Sequence, residues 1–161
     1  MSVTTYPEPP MSGVLTPDQS AALLGSDGVP GAGNKYLTSE AIIVTAENKD
    51  SVIILKGQPL KIHPSGTGVQ LASQSSVCRV FAGADTAVGA AVPVRAAGII
   101  TLSDWASITG SSSLTAGGVY YLSGTPGQLT ATPPTSGFLQ QVARALSLNS
   151  LRIAIEQSIL L

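Results

Sequence analysis

Turn residues punctuate this chain from residue 41 to its end, at intervals of about 8–12 positions. The runs between them are short, apolar and rich in β-branched side chains. They fall at 41–46, 51–56, 58–62, 69–72, 77–82, 92–95, 99–102, 119–122, 128–130, 138–145 and 151–156. Between them stand E-N-K-D, read as a hairpin-like connection, then H-P-S-G-T-G, A-A-G and G-T-P-G. Such segments lack the length to bury a helical stripe but suit strands. The pattern predicts about ten short strands in an all-β fold, a small antiparallel barrel or sandwich. The one helical signal is a single turn around Trp105 within 103–109, opened by the capping pair Ser103 and Asp104. With aromatics at only 4% of the chain, the core must be built from Val, Ile, Leu and Ala.

Residues 1–40 read differently. Pro7, Pro9, Pro10 and Pro17 fix φ and remove amide donors, so the start is expected to be extended. A short helix could follow, with Thr16 as cap, Pro17 in the first turn and Gly25 as the stop. A Gly-rich loop then runs to Tyr36. This segment holds too few hydrophobes for its own core, so it reads as an arm that orders on a partner. Its hydrophobes, Val3, Tyr6, Met11, Val14, Leu15, Leu23 and Leu24, are the candidate attachment residues. The expected organisation is an arm at 1–40 and a β-rich body at 41–161.

The chain's 161 residues suit one domain plus an arm. Charged side chains make up 11%, against about 25% in ordinary soluble domains. Eight basic and nine acidic groups leave a net charge of -1. There is no basic footprint for nucleic acid and no cationic block for an anionic membrane. Charge repulsion between copies is weak. The chain also ends on Ile159, Leu160 and Leu161, where most termini are polar and fray. Burying each would be worth about 1.5–3 kcal/mol. These residues are therefore expected to dock on the chain's own core or on a neighbouring copy. The first ten residues lack a basic start and an apolar run. No stretch reaches the roughly 18 apolar residues of a membrane span. The expectation is a chain made in the cytosol that stays soluble until used.

Reaction chemistry finds little purchase. Cys78 is alone, so no internal disulfide or cysteine metal site is possible, and V-C-R-V-F-A reads as a strand with a small buried hydrophobe. Gly28 and Gly33 have the gap of a phosphate-binding loop, but Asn34, Lys35 and Tyr36 follow where Lys and Ser or Thr are needed. His63, in K-I-H-P, reads as an exposed or hydrogen-bonded turn histidine, although in a symmetric trimer one His per chain could meet at the axis. Asp85 and Asp104 are the acids of interest in the β part, in turn and cap contexts. No cofactor and no catalytic residue is expected. Trp105, Tyr120 and Tyr121 could stack on sugar rings, or be the large members of a small-residue core.

Several stretches resemble proteins of tailed phages. M-S-G-V-L-T-P-D-Q-S-A-A-L-L-G and the following G-S-D-G-V-P-G-A-G-N-K-Y-L-T resemble segments of phage fibre proteins. From G-Q-P-L-K-I onward, A-D-T-A-V-G-A-A-V-P-V, G-I-I-T-L-S-D-W, L-T-A-G-G-V-Y-Y-L, G-Q-L-T-A-T-P-P-T and V-A-R-A-L-S resemble the small β-domain of capsid decoration proteins, head fibres and fibre tips. The resemblance implies a non-enzymatic virion protein, trimeric, attached through its N-terminal arm to the major capsid protein or another virion protein. Its place would be the outer surface of the particle. The alternative it leaves open is a short tail fibre or adhesin that binds a host surface glycan.

Overall fold

The computed structural model describes residues 43–161, and the alternating pattern holds there: the chain is nearly all β, with every strand pair antiparallel. The strands are β1 (Ile43–Glu47), β2 (Pro59–Ile62), β3 (Val69–Leu71), β4 (Val80–Ala82), β5 (Ala91–Arg95) and β6 (Gly98–Thr101). A single helical turn follows, α1 (Ala106–Thr109). Then come β7 (Val119–Leu122), β8 (Leu129–Thr130), β9 (Phe138–Leu139), β10 (Gln141–Ala145), β11 (Ser150–Ile153) and β12 (Ile159–Leu160). The helical turn sits where the sequence placed it, but its N-cap position is Trp105, without a side-chain cap, rather than Ser103 or Asp104. Asp104, one residue earlier, accepts the Ala106 amide at 2.9 Å. The arm at 1–40 and its candidate residues lie outside the described residues.

The first sheet runs β1-β5-β4-β2-β3 and the second β6-β11-β10-β7-β8. Numbered within each sheet, both orders are first-fifth-fourth-second-third. The body is therefore one five-strand arrangement used twice. A two-stranded ribbon, β12-β9, is added to the second copy. Neither sheet closes into a barrel by continuous pairing. The edges of the first meet at one parallel bridge, Asn48 to Val69.

Period-two alternation puts neighbours on opposite faces of a strand, and β4 uses this to serve two cores. Ala82 joins Ile54, Leu60, Val69, Val92 and Val94 inside the first sheet. Phe81 points the other way, into the larger cluster of the second sheet with Trp105, Ile108, Leu122 and Leu151. Ala72 and Cys78 follow Phe81 into that cluster. Burying a side chain of this size is worth about 1.5–3 kcal/mol, so Phe81 ties the two sheets together energetically.

Two expectations are corrected. Residues 51–56 form no strand, and β1 pairs with β5 rather than turning back on them. The reason is Asn48, a buried amide at the end of β1. Its Nδ2 donates to the carbonyls of Val52 (3.1 Å), Thr86 (3.2 Å) and Ala87 (3.1 Å). That network holds the segment as a loop, with only Ile54 bridged to Thr86 and turned into the core. Likewise the run 138–145 is split at Gln140, between β9 and β10, where the buried side-chain amide bonds the Cys78 backbone.

Candidate functional site

Two of the three aromatic candidates for sugar stacking, Trp105 and Tyr120, are corrected by their burial. Trp105 is fully enclosed and donates its indole N–H to the Asn149 carbonyl at 3.1 Å. Tyr120 is buried, and its hydroxyl accepts the Thr115 amide at 3.0 Å. Both are the large members of a small-residue core. Tyr121, on the opposite face of β7, is half-buried and keeps part of its ring at the surface.

The chemically reactive types are used locally. Asp85 accepts the Lys56 amide at 2.7 Å, and Asp104 the Ala106 amide at the start of α1. Each carboxylate thus holds a backbone amide in a turn. His63 accepts the Ser65 amide at Nδ1 (3.2 Å), with the Ser65 hydroxyl 2.7 Å away, as a turn histidine should. Burial pushes the Cys78 thiol up to about 12, despite hydrogen bonds with backbone groups of Leu60 and Val80. The thiolate is the nucleophile, so this sulfur is inert at neutral pH. Among the described residues, no group of three or more His, Cys, Asp or Glu side chains could hold a metal ion. No helix there is long and apolar enough to cross a membrane.

Two surface features remain, and they share one segment. The first is the chain's end. β12 pairs with β9, Ile159 opposite Leu139 and Leu160 opposite Phe138, and the Leu161 amide continues the ladder to Gly137 at 2.9 Å. The backbone is thereby fixed, yet the side chains of Ile159, Leu160 and Leu161 are 58%, 71% and 55% exposed. Docking on the chain's own core, one of the two expectations for these residues, is excluded. Among the described residues the outer edge of β12 pairs with no strand, so an apolar strand presents both its faces and its free edge.

The second feature is a cleft of about 460 Å³ between residues 77–79 and 155–158. Gln140 forms its floor. The Gln140 Oε1 accepts the Cys78 amide (2.8 Å), and its Nε2 donates to the carbonyls of Cys78 (3.2 Å) and Glu156 (3.0 Å). One buried amide thus staples the two walls together. Arg79 and Glu156 border the same cleft without forming an ion pair with each other. The sequence offered two faint signals of this site. V-C-R-V turns Arg79 outward by alternation, and F-L-Q-Q-V interrupts an apolar run with two amides.

No family model, curated protein or solved structure matches the chain.

Proposed function

We propose that this chain is a structural accessory protein of a tailed-phage particle, a homotrimer that decorates or cements the capsid from outside. Residues 1–40 are the attachment arm, and the β body at 41–161 faces outward. The observation that carries the reading is the bare apolar edge at Ile159–Leu161. An exposed, unpaired hydrophobic strand is an assembly surface or an aggregation liability, and sister copies are the cover available to a symmetric particle. The low charge of the chain favours such contact, and the resemblance of its motifs to phage decoration and fibre proteins names the particle. Trimeric display multiplies weak arm contacts through effective concentration.

Sedimentation equilibrium on the full chain tests this first. Three times the monomer mass is expected, falling to the monomer mass in the Ile159→Asp, Leu160→Asp double variant with an unchanged circular-dichroism spectrum. Deleting residues 1–24 should leave the body folded and abolish co-sedimentation with capsids of the phage that encodes it. A wild-type monomer that ignores those capsids refutes the reading.

A further inference from the structure

The geometry points to the cleft bordered by Arg79 and Glu156 as a binding site for a saccharide, a ligand that goes beyond capsid attachment. Its chemistry is that of opposite charges that border one cleft and form no ion pair. Among the described residues, neither side chain spends its hydrogen-bonding capacity on a protein partner. Arg79 brings a fork of N–H donors, and Glu156 brings carboxylate acceptors. Gln157 and Ser158, on the same rim, can do both.

An anionic ligand would meet the Glu156 carboxylate, and a cationic one the Arg79 guanidinium. A neutral ligand with adjacent donors and acceptors satisfies both at once, and a pair of neighbouring sugar hydroxyls is such a group. One hydroxyl oxygen accepts from the guanidinium while its neighbour donates to the carboxylate, each a charge-assisted bond. Val77 and Ile155 supply apolar surface for the C–H side of a ring. The volume lies within the range of about 300–1,000 Å³ usual for small-ligand sites. The Gln140 staple fixes the backbone of both walls before any ligand arrives, so the ordering cost on binding is confined to the rim side chains.

The test is a titration of the isotope-labelled full chain with glucose, galactose, rhamnose and N-acetylglucosamine at millimolar concentrations, followed by amide NMR. With at least one sugar, shifts should concentrate at residues 77–79, 140 and 155–158. Arg79→Ala and Glu156→Ala should each weaken binding by about tenfold or more, whereas Arg152→Ala, at an exposed position of β11 outside the cleft lining, should leave it unchanged. All three side chains are exposed, and an unchanged melting temperature will verify the fold of each variant. Three results would overturn the site: no sugar perturbs these residues, the perturbation survives both substitutions, or acetate or methylammonium saturates the same signals more tightly than any sugar.

Discussion

The two five-stranded sheets share a backbone plan and almost no side-chain plan. Before β2, the Gln58 amide closes a turn onto Leu55 (3.2 Å); before β7, Gly118 does the same onto Thr115 (2.8 Å). Gly57 then donates to Ala82 (2.9 Å), which donates back to Gln58 (3.0 Å). Gly117, Ala145 and Gly118 repeat that exchange, with both bonds at 2.9 Å. The following hairpin loops are closed alike, His63 to Gly68 and Ser123 to Gln128, both at 3.0 Å. The junction between loops is where the copies diverge. In the first sheet, Asn48 after β1 fastens the β4–β5 loop through Thr86 and Ala87. In the second, Trp105 after β6 fastens the β10–β11 loop through Asn149. A buried amide and a buried indole do the same mechanical task, one by hydrogen bonds and the other mainly by volume.

That contrast is most severely tested at Trp105. Trp105→Ala should cost about 3–5 kcal/mol, the range for emptying a large aromatic site, read as a lower urea midpoint. Phe81→Ala should cost a similar amount although Phe81 belongs to the first sheet, because its ring fills the second core. Trp105 is the single tryptophan, so its fluorescence reports the second sheet while far-ultraviolet circular dichroism reports both. The two transitions should coincide in the wild type and separate in Phe81→Ala. Transitions that are already separate in the wild type would show that Phe81 does not couple the sheets.

Asn48→Ala comes next. It removes one bond each from the carbonyls of Val52, Thr86 and Ala87 and from the Asp50 amide, although Thr86 and Ala87 keep the Ile54 and Ala90 amides. Losing these bonds together from a largely part-buried network costs about 1–3 kcal/mol. Hydrogen exchange should accelerate first at Ile54 and Thr86, whose amides bond each other's carbonyls, and the second sheet should follow only through global unfolding. Uniform acceleration would mean the amide fastens the whole body rather than its own loops.

Asn48 also shows why some of the fold was legible and some was not. Strands announced by short runs of β-branched, aromatic and aliphatic residues between Gly and Pro turns, such as β7 at Val119–Leu122, are read directly from the sequence. Residues 51–56 carry the same signal, yet Asn48 pulls them out of any sheet, and its role is invisible in E-N-K-D, where it looks like an ordinary turn residue. Gln140 splits the run at 138–145 for the same reason. The duplication was hidden because its equivalent positions share backbone bonds and not side chains: Phe81, buried, stands opposite Pro59, where exposed Arg144 stands opposite Val119. The cleft required knowing that residues 79 and 156 border one cavity, a long-range proximity that local pattern does not carry. Trp105 and Tyr120 failed as stacking candidates because a core this poor in large side chains claims them.

The finest test uses the paired turn glycines. Gly57 and Gly117 both have positive φ, +90° and +76°, so alanine at either pays a left-handed backbone penalty of about 1–2 kcal/mol. Their surroundings differ. A Cβ on Gly57 would lie 3.0 Å from the Cδ1 of Ile108 and 3.1 Å from that of Leu102, whereas one on Gly117 would meet nothing within 4 Å. The turn of the first copy is thus packed on the connection around α1, while the matching turn of the second faces open space. Gly57→Ala should therefore be the more destabilising by roughly 1 kcal/mol, a modest overpacking cost because the contacted methyl groups can shift. Denaturant midpoints of the two variants measure the difference. Equal losses would mean that backbone strain alone governs both turns, and that the contact between Gly57 and the α1 connection adds nothing to holding the two copies together.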